Sequence, residues 1–222
     1  MRRREFIKFL GGAAATWPLA ARAQHGERMR RVGVLLSTAA DDPQTPPRIA
    51  ALAQGLSELG WTAGRNLRID YRFGAGNVDD LRKHAAELAA LTPDVIMANG
   101  SPAMAAVQAA TRSIPIVFAS VVDPVGAGFA DTLARPGGNA TGFLLHEYSM
   151  SGKWLELLKE MAPGLKRAAV LRDAGIAAGA GQFGAIQSAA LSFGVELRPL
   201  GCAIPVRLSA ASLRSRVDRM AE

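Results

Sequence analysis

The chain has 222 residues, a formal net charge of +7 and one cysteine, Cys202. This length allows one large or two small domains with a buried core, and a single cysteine excludes an internal disulfide. Most of the net positive charge lies at the two ends, because residues 24–200 carry 17 basic and 16 acidic groups and so have a net charge of only +1. No basic stripe interleaved with aromatic residues occurs in that part of the sequence, so we expect no nucleic-acid partner.

The first 23 residues have the three-part order of a bacterial export signal, with a basic head, a short apolar run and a small-x-small cleavage site. The apolar run is too short to span a bilayer, and the paired arginines are typical of twin-arginine signals. An ordinary amphipathic helix is the alternative. We expect export by the twin-arginine machinery and cleavage after Ala23, leaving a periplasmic protein that begins at Gln24. The residues that carry this prediction are Arg3, Arg4, Phe6, Lys8, Ala21 and Ala23.

From residue 31 onward, short β-branched runs alternate with longer Ala- and Leu-rich segments of helical period. This alternation predicts an α/β protein with a parallel sheet covered by helices. The first series ends at the breaker cluster of residues 135–138. Its predicted elements are strand 32–36, helix 49–59, strand 67–73, helix 79–91, strand 95–98, helix 102–112, strand 114–119 and helix 125–133.

A second series follows residue 138. A strand over residues 139–145 is predicted to cross between domains. The remaining predicted elements are helix 151–161, strand 168–172, helix 182–193 and strand 195–200.

Small polar residues follow three of the predicted strands. In parallel sheets, ligands bind at the carboxyl ends of strands, where loops and helix N-termini offer free backbone N–H groups. Ser101 and Asp123 have the alternative role of helix N-caps, and one residue can serve both purposes. Because the three loops converge on one edge, we expect a shallow binding site for carboxylate or amide groups. The candidate residues are Ser37, Thr38, Asn99, Gly100, Ser101, Ser120, Asp123 and Pro124.

Three glycines, Gly179, Gly181 and Gly184, match the bare dinucleotide-binding pattern. The first of them does not directly follow the predicted strand, so the pattern favours a Gly-rich loop at a cleft between lobes over a nucleotide site. We expect no cofactor.

Residues suited to catalysis are sparse. His146 and Glu147 follow the crossing strand, and they are interpreted either as polar residues of a hinge or as a general acid and base. The sequence lacks the common nucleophile, zinc-binding and Walker motifs, so we expect no enzyme activity and no metal site.

Several longer segments resemble one known family. They are MRRREFIKFLGGAAATWPLAARAQ, RVGVLLS, GLSELGWTAGRNLRIDYRFGAGNVDDL, NGSPAMAAVQAAT and IPIVFASVVDPVGAGFADTLARPGGNATGF. Together they resemble the solute-binding proteins of ABC importers with the type I periplasmic-binding fold, in the group that includes binders of tryptophan and other aromatic amino acids. The last two segments are the more specific.

The resemblance implies two Rossmann-like lobes joined by crossing strands, with a small solute held between them and delivered to a membrane permease. The family's cleft-lining loops fall on the same eight candidate residues. The implied function is capture of a small organic solute, with amino acids and aromatic acids as candidates. A periplasmic sensory module and a non-functional fragment are the alternatives.

Members of the family are longer, and residues 201–222 differ in composition from the residues before them. We therefore expect a truncation or frameshift near Gly201 and an incomplete second lobe, with a genuine terminal helix as the alternative. The expected organisation is a signal over residues 1–23, a first lobe over 24–138, a hinge over 139–148, a partial second lobe over 149–200 and a non-family tail over 201–222.

Overall fold

In the computed structural model, residues 29–201 are described. The predicted export signal, and all of the predicted tail except Gly201, lie outside the described residues. None of the helices within residues 29–201 combines the length and the apolar character that crossing a lipid bilayer requires.

Strands and helices alternate along the described chain, which confirms the predicted α/β class. The strand predicted over 67–73 has the same bounds in the structure. The elements over residues 29–201 are β1 (Arg30–Leu36), α1 (Thr45–Glu58), β2 (Leu67–Phe73), α2 (Val78–Ala90), β3 (Val95–Asn99), α3 (Ser101–Ala110), β4 (Ile116–Val121), β5 (Ala140–Leu144), α4 (Met150–Met161), β6 (Arg167–Arg172), α5 (Ala177–Phe193) and β7 (Glu196–Gly201).

The first lobe is built on a parallel five-stranded sheet with the order β2-β1-β3-β4-β5. Leu36, the last residue of β1, pairs with Asn99 of β3, and Asn99 pairs with Ala119 of β4. These three strands are adjacent and parallel, so their carboxyl ends lie side by side. The loops that follow them therefore meet at one edge of the sheet.

The main core lies between this sheet and the helices α2 and α3. Its fully buried side chains include Leu35 of β1, Ile96 of β3 and Met104 of α3. The helix α2 begins where the Asn77 side chain accepts hydrogen bonds from the next turn's backbone, and it then places buried apolar residues at helical spacing. These residues are Leu81, Ala85 and Leu88.

The second lobe, within the described residues, consists of α4, α5 and the parallel pair β6 and β7. Its core cluster has three buried residues, Leu155, Ala190 and Val195. The strand β6 alternates exposed and half-buried positions, and Leu171 on it is exposed. Two strands cover only part of the apolar surface of α4 and α5, which agrees with the expected incomplete lobe.

The helix predicted over residues 125–133 is absent, since these described residues form turns and bends. The Asp123 carboxylate accepts a hydrogen bond from the Gly126 N–H (2.7 Å), and Gly128 has a φ of +75°. A left-handed residue ends helical winding after one turn, so the segment folds back as a tight turn.

Two helices begin four or five residues earlier than predicted. The helix α1 begins at Thr45 instead of residue 49, because Pro46 and Pro47 occupy its first turn, where a missing N–H costs nothing. The helix α5 begins at Ala177 instead of residue 182, so the interpretation of Gly179, Gly181 and Gly184 as a loop is wrong.

The strand predicted over 139–145 is present as β5, and it is one of the two edge strands of the five-stranded sheet. The chain passes to the second lobe only after β5, through residues 145–149.

Gly142 is the residue that lets β5 pair closely with β4. It has a φ of +158°, and a Cβ there would collide with the backbone N and carbonyl O of Phe118. We expect Gly142→Ala to lower the free energy of unfolding by at least about 2 kcal/mol, because the backbone cannot move aside cheaply. Urea denaturation checks this, with Gly55→Ala as the control.

Gly55 lies within α1 with nothing within 4 Å of its Cβ position, so alanine there is expected to stabilise the helix slightly. Equal midpoints for the two variants would contradict the packing argument.

Asp70 on the edge strand β2 forms an ion pair with Arg31 of the neighbouring strand β1. Its carboxylate accepts a 2.6 Å hydrogen bond from Arg31 Nε, and this bond holds the pKa of Asp70 below its usual range. A lowered folded-state pKa stabilises the protein above the unfolded value of about 3.9 and loses that stabilisation as the pH falls through the folded value.

We therefore expect Asp70→Asn to lower the free energy of unfolding by about 1 to 2 kcal/mol at pH 7, with the difference from wild type shrinking below about pH 4. Urea denaturation over a pH series measures it. Glu156→Gln, which breaks an exposed pair with Lys153, is the control and should change stability by less than about 0.5 kcal/mol. A pH-independent loss in Asp70→Asn would contradict the ionic origin.

Candidate ligand-binding site

The loops after β1, β3 and β4 are joined by backbone hydrogen bonds. The Ser37 N–H donates to the Asn99 carbonyl oxygen (3.1 Å), and the Gly100 N–H donates to the Ala119 carbonyl oxygen (2.9 Å). The predicted convergence of these loops on one edge is therefore present in the structure.

The Ser37 side chain organises the start of α3. Its hydroxyl donates to the Asn99 carbonyl oxygen (2.9 Å) and accepts from the Ala103 N–H (3.1 Å). The second bond satisfies one of the free N–H groups in the first turn of α3, which a capping residue usually does. Gly100 leaves space for the Ser37 hydroxyl, because a Cβ at position 100 would lie 2.8 Å from the hydroxyl oxygen. Gly100 also has a φ of +92°, which favours glycine.

Thr38 and Asn99 hold α1 against the same edge. The Thr38 hydroxyl lies 2.8 Å from the Thr45 hydroxyl at the first residue of α1. Asn99 is buried, and its side-chain oxygen accepts a hydrogen bond from Arg48 Nη1 (3.3 Å). The Thr38 hydroxyl and the Asn99 side-chain oxygen are thus engaged by partners within the first lobe.

The loop after β4 is tied to α3 through Ser101. The buried Ser101 hydroxyl accepts a hydrogen bond from the Val122 N–H (3.1 Å). Ser120 has a φ of +57° at the point where the pairing of β4 with β5 shifts register. A left-handed serine at a bulge bends the strand locally, just before the loop that follows β4.

Asp123 connects the turn after β4 to the segment between β5 and α4. Its φ is +39°, and its two carboxylate oxygens accept from the Gly126 N–H (2.7 Å) and from the Tyr148 N–H (3.1 Å). Pro124 beside it is fully buried. These two residues begin a turn that contacts the crossing segment.

A cleft of about 230 Å³ lies between the two lobes. One wall comes from the N-terminal part of α2, one face of α3 along its length, and Phe129, and the other comes from residues 175–177 between β6 and α5. Three helices begin at this cleft, at Val78, Ser101 and Ala177, so the positive ends of three helix dipoles converge there. The lining residues are Val78, Arg82, Ser101, Pro102, Ala105, Ala106, Ala109, Phe129, Gly175, Ile176 and Ala177.

Arg82 is the charged side chain among these lining residues. One of its nitrogens lies 3.2 Å from the Asp79 carboxylate, and its side chain is 69% exposed. The remaining donors of the guanidinium are free to meet a bound anion, and the rest of the cleft wall is largely apolar. This arrangement suits a small molecule with a carboxylate and an apolar body.

Of the eight predicted site residues, Ser101 lines this cleft. The other seven form or support the edge from which α3 and the turn after β4 start. Val78, Arg82 and residues 175–177 were not predicted from the sequence. They follow β2 and β6 in the same way that the predicted loops follow β1, β3 and β4, so the ends of these two further strands were the signal for them.

The segment between β5 and α4 contacts the second lobe. His146 Nε2 lies 2.8 Å from Gln182 Nε2, and the His146 ring meets the Trp154 ring edge-on with centroids 5.3 Å apart. The Tyr148 hydroxyl donates to the Ala177 carbonyl oxygen (3.3 Å). Burial, and secondarily the nearby Asp123 carboxylate, raises the pKa of Tyr148, so the phenol is a donor at neutral pH.

Metal and nucleotide sites find no support in the described residues. Over residues 29–201, no three His, Cys, Asp or Glu side chains lie close enough together to hold a metal ion. The glycines of the dinucleotide pattern lie inside α5, where Gly179 passes against the backbone of Asp173. Gly181 packs against the Tyr148 ring, whereas a Cβ at Gly184 would meet nothing within 4 Å.

A family model described as ABC transporter substrate binding protein matches residues 40–215. The chain belongs to this family. The match confirms the resemblance seen in the sequence. It extends to residue 215, so the prediction that the whole of residues 201–222 lies outside the family is wrong.

Three similar proteins illustrate the relationship. A protein of Clostridioides difficile (strain R20291) named tyrosine-binding protein is 28% identical over 145 residues, which are 65% of this chain and 41% of that protein. A solved structure of a conserved domain protein from Vibrio cholerae is 29% identical, with a TM-score of 0.73 over 87% of this chain and 62% of that one.

The third is the ABC domain in complex with L-Trp from Streptococcus pneumonia, which is 23% identical, with a TM-score of 0.71 over 86% of this chain and 62% of that one. These structures show the type I periplasmic-binding fold, as expected. The chain spans 41% of the curated relative and 62% of each of these two solved structures.

The Ser37 hydroxyl makes the bonds that hold the edge together, so we expect Ser37→Ala to destabilise the first lobe. Losing a partly buried hydroxyl that both donates and accepts should lower the free energy of unfolding by about 1 to 2 kcal/mol. Urea denaturation measures the change. Ser113→Ala, at an exposed position, is the control, and equal stability of the two variants would contradict the bridging role.

Proposed function

We propose that this chain is the solute-binding component of an ABC importer and that it captures a small organic carboxylate between its two lobes. The observation that carries the proposal is the interlobe cleft, where three helix N-termini and the Arg82 guanidinium surround a largely apolar space. Membership of the ABC substrate-binding family supports it, as do relatives named or described as binding tyrosine or L-Trp.

The chemistry of the lining residues suggests which part of the solute meets which wall. A carboxylate would lie against Arg82 and the first turn of α3, where the Ser101 hydroxyl can donate. The apolar body would contact Ala105, Phe129 and Ile176. The cleft is smaller than the roughly 300–1,000 Å³ of drug-sized ligand pockets, which suits an amino acid or an aromatic acid.

Capture would proceed by closure of the two lobes on the solute. A ligand favours the closed form only to the extent that it binds that form more tightly. A solute held by Arg82 on one wall and Ile176 on the other makes contacts with both walls only when the lobes are close. The permease would then recognise the closed shape. We expect no catalytic role for His146, because its ring is engaged by Gln182 and Trp154.

Export is part of the same proposal. Substrate-binding proteins of this family act outside the cytoplasm, and the basic head with Arg3 and Arg4 would direct the chain to the twin-arginine machinery. Cleavage after Ala23 would release the periplasmic form. The division into a first lobe over 24–138, a hinge over 139–148, a partial second lobe over 149–200 and a tail over 201–222 belongs to the proposal as well.

A thermal-shift panel on the purified full chain tests the function. We expect L-tryptophan, L-tyrosine or benzoate to raise the melting temperature, because a ligand that binds the folded state stabilises it. Tryptamine, which lacks the carboxylate, should not. A panel without any shift, or an equal shift with tryptamine, would contradict the proposal.

Repeating the thermal-shift panel with the Arg82→Gln variant tests whether the ligand binds in the cleft. Losing a charge-assisted hydrogen bond should weaken binding about 10- to 100-fold. Lys83→Gln is the matched control, since Lys83 is the next residue of α2 and does not line the cleft. It should retain the shift.

A further inference from the structure

Tyr148 lies in the segment that connects β5 to α4, and it contacts both lobes. The segment is short, and Tyr148 is half-buried within it. A side chain at this position is placed to influence how the second lobe is held against the first.

On the side of the first lobe, Tyr148 is held by the turn after β4. Its backbone N–H donates to the Asp123 carboxylate (3.1 Å), and the Asp123 N–H donates to the His146 carbonyl oxygen (2.9 Å). The Tyr148 ring lies against Gly126, where an added Cβ would come within 2.8 Å of the ring. The backbone of the connecting segment is therefore fixed to the first lobe on both sides of Glu147.

On the side of the second lobe, the same ring lies against α5. A Cβ at Gly181 would collide with three ring carbons of Tyr148, so the ring packs directly on the helix backbone. The Tyr148 hydroxyl donates to the Ala177 carbonyl oxygen (3.3 Å), one turn before Gly181. The ring is thus wedged between Gly126 of one lobe and Gly181 of the other.

The wedge is directly connected to the cleft. Ala177, whose carbonyl oxygen accepts the Tyr148 hydroxyl, is also a lining residue of the wall that the second lobe contributes. Moving the ring would shift the first turn of α5, and with it Ile176 and Ala177, relative to Arg82 on the opposite wall.

We propose that Tyr148 is a positioning residue that sets the angle between the two lobes and so aligns the two walls of the cleft for solute capture. The capture part rests on the proposed function, whereas the angle does not. Glycine at positions 126 and 181 is what the wedge requires, since either Cβ would displace the ring. The hydrogen bond from the Tyr148 hydroxyl to the Ala177 carbonyl oxygen fixes the position of the ring along α5, which packing alone would not do.

The angle can be measured without any ligand. Spin labels on Lys83→Cys in α2 and Gln187→Cys in α5, both exposed, report the interlobe distance by pulsed electron paramagnetic resonance in the full chain carrying Cys202→Ser. We expect a narrow distribution with Tyr148 present, and a shifted or broadened one in Tyr148→Ala and in Gly181→Ala. Tyr148→Phe, which keeps the ring, should remain near the wild-type distance.

Phe143→Ala is the matched control, because Phe143 is an aromatic residue of the preceding strand with 77% of its surface exposed. Its distribution should equal that of the wild type. Unchanged distributions in both Tyr148→Ala and Gly181→Ala would overturn the proposal, and so would an equal change in Phe143→Ala. If Tyr148→Ala fails to fold, the distance distribution of Gly181→Ala is compared with that of Phe143→Ala. A change in Gly181→Ala alone supports the proposal, and no difference between the two variants overturns it.

Affinity for L-tryptophan, measured by calorimetry, is the second readout. We expect Tyr148→Phe to weaken binding about two- to fivefold through the lost hydrogen bond, and Tyr148→Ala to weaken it at least about tenfold because fewer molecules hold the competent angle. Wild-type affinity in Tyr148→Ala would overturn the capture part. If the wild type itself binds no probe, the proposed function fails while the distance measurement still tests the angle.

Discussion

The parallel pairing of β1, β3 and β4 is the constraint on which the rest of this structure depends. It places Leu35 and Ile96 in the core beneath α2 and α3, and it brings the ends of the three strands to one edge. If the pairing register of a strand shifted by one residue, its buried side chains would turn to the opposite face of the sheet. The burial of these side chains therefore fixes the register of the strands. The Ser37 hydroxyl then converts this alignment into a fixed starting point for α3.

Helices and strands that are specified by residues within or next to them could be predicted from the sequence. The strand β2 has its predicted bounds, and α2 is one residue from its predicted start, because Asn77 and the spacing of Leu81, Ala85 and Leu88 are local signals. The helix expected over residues 125–133 was wrong because Asp123 and Gly128 impose a turn that contacts a distant segment. The early start of α5 also depends on a distant contact, since Gly179 packs on the backbone of Asp173.

The residues of the candidate site also divide into those with local signals in the sequence and those that depend on distant contacts. Ser101 was found because it follows a strand and opens a helix, and both properties are visible in the sequence. Arg82 and Ala177 were missed because the strand-end prediction was made for β1, β3 and β4 only, and because the sequence does not show that the helices after β2 and β6 meet when the two lobes come together. A site shared between lobes depends on the contacts between them, which is why the connecting segment matters to the chemistry of the cleft.

The small core of the second lobe has a consequence for how the molecule fluctuates. With Leu155, Ala190 and Val195 buried, against the much larger core of the first lobe, the second lobe has less apolar burial to resist local opening. Backbone amides of β6 and β7 would exchange with solvent through openings that leave β1, β3 and β4 closed. A molecule that contacts both walls would stabilise the second lobe through its contacts with the first, so binding in the cleft would slow amide exchange in both β6 and β7, although neither strand contributes a lining residue.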